Sequence, residues 1–562
     1  MTEVPARSAG RRTWAHLRNL LPSVDDSRAV RRTWRRDLLA GVTVGIVALP
    51  LALGFGISSG AGAEAGLITA IVAGIVAAVF GGSNVQVSGP TGAMVVVLAP
   101  IVASHGVGAV ALVSVMAGIL VLVAGAARLG RAVSFIPWPV IEGFTLGIAV
   151  IIFLQQVPAL ASPELHGASH TNVAVLAWQS LLGADPAYLA WSLGAVAIVA
   201  ACMLALPRLH PGVPGSLIGI LVVTVLSLVL PSPLRVIGEL PQTLPAPAVP
   251  EWDAATLGAL ALPAVTVAAL AAIESLLSAR VAASLADTGP YNPDRELVGQ
   301  GLASVAAGLF GGMPATGAIA RTAVNVRAGG RTRLAAVTHA AVLLAVVLLV
   351  ARPVGAIPLA ALSAVLMITA VRMVHTATVR SILRSTRADA AAFVITAIVT
   401  VSVDLIVAVV IGIAVAGVFA IRNLARATGV HREQIAGPPQ PGDDRIAIVR
   451  LDGPLFFAAA DRVADEVASL ADVSVVILRM SQIELVDATG ARILTEIVQR
   501  LERDGVTVLI KGVREGHEEL FRTVGVLDAL RHHRHLFATL PDAVAHARSH
   551  VARAAGREES NG

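Results

Sequence analysis

The chain has 562 residues, 56% of them hydrophobic and only 14% charged, with a formal net charge of +5. A soluble globular domain carries about 25% charged residues, so the composition excludes that class and predicts a polytopic membrane protein. The basic residues are nearly all arginine and are not interleaved with aromatics, which argues against nucleic acid as a partner. The only cysteine, Cys202, lies in an apolar run, so no intrachain disulfide or thiolate metal cluster is available.

Residues 1–36 read as a basic cytoplasmic arm, with Arg28, Arg31, Arg32, Arg35 and Arg36 next to the bilayer. Arginine-rich sequence ahead of the first apolar run argues against a cleavable signal. Residues 37–426 form the predicted membrane domain. Its first seven segments lie near 37–59, 63–81, 84–103, 106–127, 139–160, 187–206 and 213–231. A polar loop with His166 and His170 precedes the sixth. The second seven lie near 256–284, 293–311, 315–328, 333–351, 357–374, 388–403 and 404–424. An odd number per half inverts the second half relative to the first. With the N-terminus inside, the inner loops collect arginines from Arg128 and Arg131 to Arg422 and Arg426, and the outer loops hold only Arg235 and Arg352.

Residues 427–442, ending in Pro438-Pro439-Gln440-Pro441-Gly442, read as a linker. From 443 to 550, strand-like runs (445–451, 473–478, 506–510) alternate with helical ones (462–470, 489–503), predicting a small cytoplasmic α/β domain. Residues 551–562 read as a disordered tail.

Two segments are broken. Phe310-Gly-Gly-Met-Pro-Ala-Thr-Gly317 interrupts an apolar region with glycines and Pro314, and Arg321 follows. Val76–Gly82 echoes Ala306–Gly312, and its continuation Ser88-Gly-Pro-Thr-Gly-Ala93 is interrupted in the same way. Paired broken helices in two halves mark the binding site of a secondary transporter. A half-helix starting inside the bilayer presents free amides and a positive dipole end. With Arg321 beside Ala318–Ala320, that makes an anion site.

With these residues in place, the chain resembles the sulfate permease (SulP) family of anion transporters, whose animal relatives include prestin, over about 30 to 550. The marks are Ala48-Leu-Pro-Leu-Ala-Leu-Gly-Phe55, Val87-Ser-Gly-Pro-Thr91, Ile273-Glu-Ser-Leu-Leu-Ser-Ala-Arg280 and Phe310-Gly-Gly-Met-Pro314 leading to Arg321-Thr322. Val486-Asp-Ala-Thr-Gly490 resembles the signature loop of a STAS domain. The resemblance implies an all-α membrane domain with a 7+7 inverted repeat, split into a core holding spans 3 and 10 and a gate of spans 5–7 and 12–14. It also implies elevator-type transport, a homodimer and a STAS domain at 443–550.

The same resemblance places Phe55, Thr91 and Gly92 in the anion pocket, opposite Ala318, Ile319, Ala320 and Arg321. Glu274, an ionisable residue deep in an apolar span, is a coupling candidate by its cost alone. Ser278 lies one turn on. Sodium-coupled bicarbonate members are similar here but carry Asp at Glu274 and a hydroxyl at Ile319, so a proton is expected rather than sodium. Thr489, beside Asp487, sits where soluble STAS relatives are phosphorylated, although capping of the following helix is the favoured role. No P-loop, zinc motif or catalytic triad spacing is visible, so neither an enzyme nor a cofactor is expected. The expected protein is a plasma-membrane transporter of sulfate, bicarbonate or a dicarboxylate. The alternatives are a nucleobase permease of the same fold and a non-transporting membrane protein with a STAS signalling module.

Overall fold

The structure is a computed structural model that describes residues 30–131, 136–162, 172–209, 213–285, 291–403, 405–468 and 473–561, with Leu20, Pro22 and Gly289. The chain forms two compact units, residues 1–413 and 414–562. The loop histidines His166 and His170 and nearly all of the arm before Val30 lie outside the described residues.

The first unit begins with α1 (Val30–Ser58), α2 (Ala63–Phe80), strand β1 (Ser88–Gly89), α3 (Gly92–His105) and α4 (Gly108–Ala126). It continues with α5 (Trp138–Gln155, prolonged by Val157–Ala161), α6 (Val173–Leu182), α7 (Pro186–Leu209) and α8 (Gly215–Val229). The second half follows with α9 (Ala254–Leu285), α10 (Pro293–Leu309), β2 (Thr316–Gly317), α11 (Ile319–Arg327) and α12 (Arg333–Gly355). α13 (Leu359–Met373), α14 (Thr376–Arg384), α15 (Arg387–Ser402) and α16 (Leu405–Ala427) complete the apolar region. Every one of the fourteen predicted segments contains a helix. Among the described residues, nine helices are long and apolar enough to cross a bilayer by themselves.

Three expectations need correction. The helix of the first span starts at Val30, so the last turns of the basic arm are helical. Arginine is a good helix former, and extending an existing helix avoids the cost of nucleation. α6 and α14 were not expected; they occupy the same place in the two halves, just after the fifth and twelfth segments. α14 has a polar face of Arg380 and Arg384 that hid it from a hydropathy reading.

The breaks are held by the opposite half. After α2, the amides of Gly82 and Ser83 donate to the Glu296 carboxylate of α10 at 2.8 and 3.0 Å. Arg333 of α12 donates to the carbonyls of Ala78 and Gly81 at 2.9 and 2.7 Å. After α10, the Thr69 hydroxyl, placed in a π turn of α2, both accepts from Met313 N at 2.7 Å and donates to Met313 O at 2.9 Å. Irregular backbone in lipid survives only when protein satisfies it in this way. Asp37 of α1 works similarly, accepting from the amides of Arg331 and Thr332 at 2.7 and 3.1 Å where α12 begins.

The second unit is a five-stranded sheet in the order β3 (Gly429–Glu433), β4 (Ile446–Asp452), β5 (Val475–Gln482), β6 (Thr507–Lys511), β7 (Leu536–Phe537). Only the β3–β4 pair is antiparallel. The central strands are buried on both faces, as a parallel sheet requires. Helices α17 (Ala460–Ala468), α18 (Ala488–Arg503) and α19 (Glu515–Val524) pack on one face, through Val463, Leu494 and Phe521. Helix α20 (Leu540–Asn561) covers the other, through Ala543, Val544, Ala547 and Val551. Two further corrections follow. β3 lies inside the predicted linker, because its edge pairs with β4 along five residues. The predicted disordered tail is the end of α20, whose alanines and glutamates favour continuing the helix.

Candidate functional site

β1 and β2 pair antiparallel, Ser88 opposite Gly317 and Gly89 opposite Thr316. This short ladder brings together the two interrupted segments. Thr91 and Ala318 stand at the N-caps of α3 and α11, and neither helix is capped by a side chain. The first-turn amides and the positive dipole ends of both helices therefore remain available to an anion.

Phe55 is buried, and Gly92 sits where the Phe55 ring of α1 and Ile152 of α5 close on the start of α3. A Cβ at Gly92 would lie 2.1 Å from Ile152 Cδ1 and 3.3 Å from Phe55 Cε1. On the α11 side Ala318 is buried, Ile319 is half-buried and Ala320 is exposed.

α9 supplies the polar floor. The Thr91 hydroxyl donates to Glu274 Oε2 at 2.8 Å, and the Thr316 hydroxyl lies 2.9 Å from the same oxygen and 2.9 Å from Thr91 Oγ1. The three oxygens form a triangle joining span 8 to both breaks. Ser275 Oγ accepts from Gly317 N at 3.0 Å. Ser278 Oγ lies 3.4 Å from Thr322 Oγ1, which accepts from Val87 N at 3.0 Å. Ser278, fully buried, thus ties α9 to α11.

Arg321 is 2% exposed, which rules out a side chain stretched toward an aqueous face. Its Nη2 donates to the Pro90 carbonyl at 2.6 Å, across the break. Its Nη1 has no hydrogen-bond partner. Gly89 makes room for it: its φ is +152°, and a Cβ there would meet Nη1 at 2.7 Å. The guanidinium is therefore tucked against the paired breaks and has one donor group in reserve.

Sequence reasoning missed Thr316. The signal was present, since Thr-Gly-Ala follows a proline in both breaks, with Thr91 directly after Pro90 and Thr316 two residues after Pro314. Gln300 was missed as well; its Nε2 donates to Ser88 Oγ at 2.6 Å and to Glu296 Oε1 at 2.9 Å.

In the second unit, Asp487 is the cap of α18, accepting from Gly490 N at 2.7 Å. Thr489 is exposed in the first turn and does not cap, which corrects the role favoured for it. The carboxylate two residues earlier reaches the free amide with better charge complementarity.

The sequence pattern of the sulfate permease family matches residues 34–396, and that of the STAS domain matches 438–543. YvdB of Bacillus subtilis, whose name assigns it provisionally to sulfate transport, is 35% identical over 504 residues, 88% of this chain and 94% of its own. The bicarbonate transporter BicA of Synechocystis is 31% identical over 512 residues, 86% of this chain and 88% of its own. The solved structure of the murine anion transporter Slc26a9 superposes with a TM-score of 0.81 at 17% identity, covering 98% of this chain and 97% of its own. At that identity the superposition speaks for the fold.

Proposed function

The chain belongs to the sulfate permease family of anion transporters, and we propose that it is a secondary active transporter that carries a small oxyanion in symport with a proton. The anion sits between the N-termini of α3 and α11. Arg321 neutralises it from below, and Glu274 takes the proton. The names of the relatives favour sulfate or bicarbonate as cargo.

The observation that carries the proton is the oxygen triangle. Its three edges are each 2.8–2.9 Å long. With Glu274 ionised, Thr91 and Thr316 supply only two protons for three close contacts. With Glu274 protonated, three protons close a ring in which each oxygen donates once and accepts once. Charge balance points the same way. Glu274 and Arg321 compensate each other before the anion arrives; bicarbonate then leaves one negative charge in excess and sulfate two, and a proton on Glu274 offsets one of them. Ile319 brings no oxygen with which to hold sodium. In this reading the core moves against the gate as an elevator, the chains pair as homodimers, and both termini face the cytoplasm, as the arginine bias favours.

The binding half of this reading is tested by anion-dependent thermal stabilisation of the purified protein with sulfate, bicarbonate and dicarboxylates. One of these should stabilise the wild type. Arg321→Ala should weaken that anion by more than tenfold, corresponding to loss of a charge-assisted contact worth about 2–5 kcal/mol. Unchanged affinity in a folded Arg321→Ala protein would place the anion elsewhere.

A further inference from the structure

The second unit carries a histidine cluster outside the proposed anion site. His546 and His550 lie one turn apart on α20, and His535 immediately precedes β7. A ring nitrogen from each lies within 4.8 Å of the others. The Nε2 atoms of His546 and His550 are 3.2 Å apart. His535 is 4% exposed, and its Nδ1 has no hydrogen-bond partner. Its ring also lies beside the backbone of Val508.

We propose that His535, His546 and His550 form a binding site for a divalent transition-metal ion, zinc by preference, which clasps the last helix to the end of the sheet. The fourth ligand is water or a small anion.

Zinc takes imidazole nitrogens at about 2.0–2.1 Å in a tetrahedron, which sets neighbouring ligand atoms roughly 3.3 Å apart. The His546–His550 pair already stands at that separation. A histidine pair four residues apart presents both rings on one helix face, as helical zinc motifs do. The third ring offers a nitrogen within 4.8 Å of both. Three imidazoles and no carboxylate suit zinc, cobalt, nickel or copper and not magnesium or calcium.

The protonation states agree with the geometry. Burial, then His550, His546 and His532, pushes His535 down to about 4. Burial first, then Arg553, holds His546 and His550 below their usual range. Ligation requires neutral imidazoles, so little proton competition remains at neutral pH. Arg553 and Arg531, the cations facing the cluster, oppose a bare dication and favour an anion as the fourth ligand. A metal-coordinating histidine is ordinarily oriented by a backbone or carboxylate partner on its other nitrogen, a part Val508 can play for His535.

The test uses the full-length protein in detergent, stripped with a chelator, dialysed against limiting zinc chloride and analysed for metal content. Affinity is measured by competition with a chromophoric chelator. One zinc per chain is expected, with a rise in unfolding temperature on zinc addition. His546→Asn with His550→Asn should bind zinc at least about 100-fold more weakly and lose the zinc-dependent stabilisation. Should that double variant not fold, His550→Gln alone, at a half-buried position, should weaken binding in the same direction. No retained zinc, or equal zinc in folded variants, overturns the proposal and leaves a hydrogen-bonded histidine pair.

Discussion

The proposed transport chemistry rests on a carboxylate, two hydroxyls and a guanidinium. Thr91 stands at the N-cap of α3 and Thr316 lies in β2, two residues before the cap of α11, and both reach Glu274. Removing either hydroxyl opens the ring that favours the proton-loaded state. Thr316→Val should therefore reduce the stimulation of uptake by an inward proton gradient severalfold, in line with one hydrogen bond of about 0.5–1.5 kcal/mol. Thr316→Ser should retain it; loss in Thr316→Ser with retention in Thr316→Val would mean the methyl, not the hydroxyl, matters. Glu274 and Arg321 were legible because charge inside an apolar segment is expensive and demands a reason. Thr316 was not, because a threonine in a glycine-rich break also reads as a turn residue. Only the ladder pairing shows which way its hydroxyl faces.

At the scale of elements, the site depends on two strands of two residues each. Gly89 lies at φ +152° against Arg321, a conformation other residues rarely adopt. Gly89→Ala should displace the guanidinium, lower the unfolding temperature and abolish anion-dependent stabilisation. A variant that still binds with wild-type affinity would show that the ladder tolerates a side chain. The glycines and Pro314 announced the breaks in the sequence, but their partner residues, Glu296, Arg333 and Thr69, lie far away in the chain and could not be assigned from spacing. The edge strand β3 was read as linker for a related reason: its order comes from pairing. Burial works against the charge of Glu433, but hydrogen bonds from Arg479 and Arg450 outweigh it and hold the carboxyl below its usual range. A carboxyl lowered in the folded state stabilises above its unfolded value, near 4.3, and loses that contribution as the pH falls through the folded value. Glu433→Gln should accordingly speed amide exchange across 429–433 at neutral pH. The difference should vanish in strong acid; a difference that persists there would assign the effect to packing.

At the scale of the whole molecule, the two halves repeat element for element, down to the matching helices α6 and α14. The number of segments was legible from hydropathy and arginine placement because lipid imposes a fixed length and the cytoplasmic side collects positive charge. The inverted arrangement predicts that Thr243 and Gln440, both exposed, lie on opposite sides of the membrane. Cysteines placed there in a Cys202→Ala background should label from opposite faces, and same-side labelling would refute the topology. The most direct measurement of the central claim is uptake into proteoliposomes under an inward proton gradient, with and without sodium, for wild type and Glu274→Gln. The account predicts sodium-independent uptake driven by the gradient in the wild type, lost in Glu274→Gln even where anion exchange survives. Sodium-driven uptake, or wild-type pH dependence in Glu274→Gln, would contradict it.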